Sequence, residues 1–146
     1  MIIDAHSKWI EVFPTSSTTS SVVVEVLRSI FARFGIPEMI VSDNGPCFVS
    51  EEFESFLQAN AVKHVTSAPY HPSTNGLAEW AVQILKKGLK KVTDGTLHSR
   101  LAKVLMRYRI TPQSTTGSSP AELLLGRQPR TRLDLLKPSP ELSVEH

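Results

Sequence analysis

The chain has 146 residues, 40% of them hydrophobic and 21% charged, with a formal net charge of +2. That length supports one domain with its own core, no apolar run approaches the roughly 20 residues of a membrane span, and a single cysteine fits a reducing, intracellular setting away from the membrane. A single cysteine, Cys47, excludes an internal disulfide framework and a cysteine-rich zinc site.

Residues 1–4 and 9–13 read as two short strands around a turn at Ala5–Lys8, and Pro14 ends the second. TSSTTSS is a polar entry to a helix in which Val23, Leu27, Ile30 and Phe34 recur at helical spacing. Gly35 and Pro37 stop that helix. EMIVS, residues 38–42, is a short apolar strand running into DNGP, whose residues all favour chain reversal. Ser50 caps the next helix, with Glu51 and Glu52 complementing its dipole and Phe53, Phe56 and Leu57 as its buried stripe. VKHVTS, residues 62–67, alternates as a strand. SAPYHPSTNG, residues 67–76, holds two prolines and a glycine and reads as a flexible loop, with Asn75 and Gly76 as its hinge.

A long helix is predicted from about Leu77 to Val92, with Ala78, Val82, Leu85, Leu89 and Val92 on one side. Residues 97–109 make another, with Leu97, Leu101, Leu105 and Tyr108 inward. In SSPAELLLG, Ser119 caps, Pro120 takes the first helical position, Glu122 closes a capping box and Gly126 ends the turn. Residues 137–146 read as a flexible tail. Strands mixed with helices imply an α/β layer fold, one domain over residues 1–136.

Two acidic residues stand in unusual settings. Asp43 lies where a strand meets a Gly-Pro turn, and Glu79 lies in the first turn of the long predicted helix, with 35 residues between the two. Singly, each has a plain reading: a turn former and a dipole-complementing acid. As a pair they suit two-ion phosphoryl transfer, which needs carboxylates from different elements converging on one point. Magnesium prefers such oxygen ligands.

SDNGP at 42–46, PYHPSTNGLAE at 69–79 and the spacing from Asp43 to Glu79 resemble the catalytic core of retroviral and gypsy-type retrotransposon integrases, the D,D-35-E group. The resemblance extends to DAHSKWIEVFP near the start and TTGSSPAELLLGRQPRTRLDLL near the end. It implies a ribonuclease H-like mixed sheet flanked by helices. It also implies magnesium- or manganese-dependent DNA 3′-end processing and strand transfer, with DNA as partner, a homo-oligomer, and a nuclear setting for a functional protein. Asp43 matches the second catalytic, metal-holding carboxylate and Glu79 the third. The family's first catalytic aspartate lies on a strand before the stretch that IIDAHSKWIEVFP matches. Asp4 therefore aligns elsewhere, with a local turn role before Ser7 and Lys8. The expectation is an N-terminally truncated core that lacks the central first strand and is inactive. The alternative is a co-opted, non-catalytic module that binds DNA or protein. Trp80 stands where the gypsy-type pattern carries arginine, and reads as a packing residue.

Residues 1–60 carry a net −5 and residues 61–146 a net +7, and a basic half suits a polyanion. Gln83 and Lys86 follow Glu79 by four and seven residues and share its face. Lys87, Lys90 and Lys91 extend that face. The resemblance implies that it meets the DNA end, with lysines on phosphates; a solvated helix face is the plainer alternative. His64 and His71 are metal ligands in name only. Cys47 fits either core or loop.

Overall fold

The computed structural model describes residues 1–66 and 72–131. In chain order these form β1 (Ile2–Ile3), β2 (Ile10–Glu11), α1 (Ser20–Phe34), β3 (Met39–Ser42), α2 (Glu51–Ala59), β4 (Lys63–Thr66), α3 (Pro72–Lys91), α4 (Leu97–Ile110) and α5 (Pro120–Leu125). Residues 67–71 and the expected tail at 137–146 lie outside the described residues. The described residues cluster into two compact units. One is Met1–Ile3 with residues 11–66 and 72–86; the other is Asp4–Ile10 with residues 87–131.

The first unit is built on helix packing. Thr19 caps α1 by accepting from the Val22 amide, and Gly35 ends it at a positive φ of 91°. That backbone angle suits glycine, which has no Cβ to clash. Val24 and Leu27 of α1 pack with Phe53, Phe56 and Leu57 of α2 and with Val62. Val23, Phe31, Ile40 and Phe48 close over this cluster. The buried stripe is thus rotated from the expected one: Val24 replaces Val23 at the centre, and Phe34, in the last turn, is 39% exposed. Ser50 caps α2 as expected, its hydroxyl accepting from the Phe53 amide at 3.2 Å.

β3 and β4 pair in parallel, from Met39 opposite Lys63 to Ser42 opposite Thr66. A parallel pair needs a crossover connection, and α2 supplies it. Alternation divides β3 between two faces: Met39 and Val41 are exposed, while Ile40 packs on the core. The described strands form two separate ladders, β1 with β2 and β3 with β4. The class is α/β as expected, yet no described strand joins the two ladders into one sheet.

The second unit gathers the first turn of the chain onto α4. Asp4 takes the local role expected of it: its Oδ2 accepts from the Ser7 amide at 2.9 Å and the Ser7 hydroxyl at 2.5 Å. Lys8 follows with a positive φ of 65°. The Tyr108 hydroxyl donates to the Lys8 carbonyl at 2.6 Å, and Arg109 donates to the Ile10 carbonyl while its guanidinium lies 4.1 Å from the Trp9 ring centre. Leu101, Val104, Leu105 and Tyr108 are the buried side of α4, whereas Leu97, in its first turn, is 52% exposed instead of inward. Arg100 satisfies the end of α3 by donating to the carbonyls of Val92 and Leu89 at 2.7 and 2.8 Å. Ser119 caps α5, Pro120 opens it, and Gly126 ends it in the left-handed region, as expected.

Burial pushes the Tyr108 phenol from 10.0 up to about 12. Between these values the unfolded tyrosine ionises first, so the unfolded state gains. The contribution is therefore full below pH 10 and is lost as pH rises through 12. Denaturant melts of the parent should lose stability across that window, and Tyr108→Phe should lack that component.

The start of α3 corrects the expected loop. The helix begins at Pro72 and takes in Asn75 and Gly76, so neither is a loop hinge. Proline is well suited to a first helical turn, where its missing N–H has no partner to lose.

Candidate active site

Asp43 follows β3 directly. Its Oδ1 accepts from the Gly45 amide at 2.8 Å, an Asx-type turn that pins the carboxylate. A Cβ at position 45 would come 3.0 Å from that oxygen, so the close approach favours glycine there. The loop beyond is tied down as well. The Phe48 amide donates to the Gly45 carbonyl at 2.9 Å, and the Ser50 hydroxyl donates to the Cys47 carbonyl at 3.1 Å. The Ser20 hydroxyl, at the start of α1, donates to Ser50 Oγ at 2.7 Å. Asp43 is exposed on this braced turn, and Cys47 is core, 8% exposed.

Glu79 is exposed on α3. Because α3 begins at Pro72, Glu79 sits beyond the first turn, in which there is no acidic residue. Its expected role as a dipole-complementing acid lapses, since that effect fades beyond the first turn. Glu79, Gly76, Trp80, Val82 and Gln83 line an open concavity of about 430 Å³. Trp80 is 37% exposed, so it borders this hollow instead of filling a core. Lys86, Lys87, Lys90 and Lys91 are all exposed further along the helix. Gln83 and Lys86 continue the Glu79 face at the four- and seven-residue steps.

The helix thus brings Glu79 and Gln83 together, while Asp43 is not among the residues lining that concavity. No group of three or more His, Cys, Asp or Glu side chains placed to hold a metal occurs among the described residues. Oxygen donors of the kind magnesium takes are offered by Asp43, just after β3, and by Glu79 on α3.

His64 has no special role by sequence, yet both its ring nitrogens are engaged, one of them by the residue before Asp43. Its Nε2 lies 2.7 Å from Ser42 Oγ and its Nδ1 2.5 Å from Glu54 Oε1. Its ring meets Phe53 edge-on, with centroids 5.1 Å apart. The cluster draws on three elements, β3, α2 and β4, so spacing alone carries no signal of it.

A family model described as the integrase core domain matches residues 1–72. An uncharacterized Caenorhabditis elegans protein is 40% identical over 142 residues, 95% of this chain. The Gag-Pol polyprotein of avian reticuloendotheliosis virus is 35% identical over 133 residues, 88% of the chain. The chain belongs to the integrase core family. It spans only 11% and 12% of the lengths of those two relatives. Among solved structures, this integrase core superposes on a chain of the simian T-cell lymphotropic virus intasome, solved with PP2A regulatory subunit B56 gamma. There the TM-score is 0.75 at 26% identity, covering 89% of this chain and 50% of that one. The HTLV-2 integrase catalytic core, in complex with magnesium and in a trimeric form, gives a TM-score of 0.70 at 24% identity, covering 84% and 80%. At that identity the match shows the shared ribonuclease H-like fold.

Proposed function

We propose that this integrase core binds DNA along α3 and that Asp43 and Glu79 are its retained catalytic carboxylates. They face magnesium or manganese where a fuller ligand set is supplied. The observation that carries this reading is the α3 face itself. Glu79 and Gln83 border one concavity, and Lys86, Lys87 and Lys90 stand exposed beyond them. The ancestral reaction is DNA 3′-end processing and strand transfer, carried out in the nucleus. Among the described residues no group of three or more side chains suited to hold a metal occurs, which supports reading this chain as a DNA-binding module without strand transfer of its own. The relative solved in trimeric form supports a homo-oligomer.

The test is fluorescence anisotropy of the 146-residue chain on a labelled duplex across a salt series. Binding should weaken steeply with salt and vary little with sequence. Replacing Lys86, Lys87 and Lys90 together with alanine should flatten the log–log salt slope by roughly 2.7, about 0.9 per phosphate contact. An unchanged slope would remove α3 from the interface. Joined DNA products formed in manganese would overturn the non-catalytic reading.

A further inference from the structure

We propose that His64 is a positioning residue: held by Glu54 and Phe53, it fixes Ser42 at the end of β3 and, through Ser42, the turn that presents Asp43. The functional sense of this proposal rests on reading Asp43 as a site carboxylate; the geometry does not.

The pairing register makes the contact possible. Ile40 lies opposite His64 and Ser42 opposite Thr66, so Ser42 and His64 are diagonal neighbours across the parallel pair. Residues two apart on a strand share a face, and Ile40 shows that this face meets the core. His64 therefore projects from β4 towards α2, where Phe53 and Glu54 stand side by side. Phe53 supports the ring by its edge contact and is itself 1% exposed. The Glu54 carboxylate can only accept, so Nδ1 carries the proton between them, and this fixes the ring's orientation.

Nε2 is then left facing Ser42. The Ser42 hydroxyl is the shared group: it donates its one proton to the Asp43 carbonyl at 3.0 Å, so at 2.7 Å its oxygen accepts from Nε2. Asp43 is thus held at two points. Its carbonyl lies against Ser42, and its carboxylate accepts from the Gly45 amide. A core position needs no imidazole for packing, and a buried polar ring is costly unless it is hydrogen-bonded. Here the ring's side chain is only 5% exposed, and its bonds lead to the residue before Asp43.

Amide hydrogen exchange of the full chain, read by NMR, separates positioning from general packing. The reporter is the Gly45 amide, which donates to Asp43 Oδ1, and the reference is the Leu57 amide within the α2 core. In Ser42→Ala, exchange at Gly45 should speed up about tenfold, the equivalent of one net hydrogen bond, with Leu57 unchanged. Ser42→Thr keeps the hydroxyl and should restore protection. His64→Leu should match Ser42→Ala, whereas His64→Gln, which retains a polar group towards Ser42, should recover most of the protection. Ser42 is only half-buried, so its pair of variants decides the matter even if a His64 variant fails to fold. Unchanged exchange at Gly45 in Ser42→Ala, or equal acceleration at Leu57, overturns the proposal. The salt-dependent DNA measurement stands apart: its failure would remove the proposed DNA role and leave this exchange result intact.

Discussion

Replacing Phe53 with alanine is expected to cost about 3–5 kcal/mol of folding stability. Phe53 is 1% exposed and sits where the first unit's contacts meet. Its ring lies edge-on to Phe48 with centroids 5.5 Å apart and edge-on to His64 at 5.1 Å. It packs in the same cluster as Val24, Leu27, Phe56, Leu57 and Val62. Truncation removes the transfer free energy of the ring and leaves a hollow among side chains drawn from two helices, which can only partly collapse. Small domains hold roughly 5–15 kcal/mol in all, so a large part of the native margin is lost. Urea melts measure this as a lower midpoint with an unchanged slope. Phe34 provides the contrast: at 39% exposed, its alanine variant should cost about 1 kcal/mol or less. Equal costs at the two positions would show that the first unit is not centred on Phe53.

The second large effect is expected at Gly88. A Cβ built there lies 2.5 Å from Val104 Cγ1 and 3.3 Å from Cγ2, on a β-branched side chain that is itself buried. Helix propensity alone favours alanine over glycine by about 1 kcal/mol. Overpacking works against it by about 1–3 kcal/mol, because Val104 has few rotamers to retreat into. Gly88→Ala should therefore be neutral to destabilising, and Gly88→Leu strongly destabilising. The sign of the coupling is the sharper test. Val104→Ala alone opens a cavity, but added to Gly88→Ala it removes the clash and makes room for the new methyl. The double variant should be more stable than the sum of the single costs by about 0.5–3 kcal/mol. Additive costs would mean that α3 and α4 do not approach at this point.

Much of the fold is legible because its signals are local. Ser50, Ser119, Gly35 and Gly126 act within one turn of themselves, and each caps or ends the helix expected of it. The misplaced start of α3 has an equally local cause. Pro72 and Gly76 read as breakers, yet proline opens a helix well and a helical glycine costs only about 1 kcal/mol. A long amphipathic helix absorbs that cost. Leu97 and Phe34 are inward by periodicity alone but lie in the first and last turns of their helices, where the neighbouring surface runs out.

The candidate site divides along the same line. Glu79, Gln83 and Lys86 can be read together because one helix fixes their spacing. The Asp43 turn is written in DNGP. The cluster around His64 is not readable, because its hydrogen bonds span 22 residues to Ser42 and 10 to Glu54. Such contacts exist only after β3, α2 and β4 have packed.

Cys47 gives this fold a built-in chemical clock. It is the chain's one cysteine, it is 8% exposed, and it lies four residues beyond Asp43 on a loop tied to Ser20 and Ser50. A thiol reagent reaches such a sulfur only when the protein opens, so the labelling rate under native conditions measures an opening free energy. With one thiol there is no ambiguity over which site reacted. Set beside the global value from denaturant, the rate shows whether the loop presenting Asp43 opens ahead of the aromatic core or only together with it.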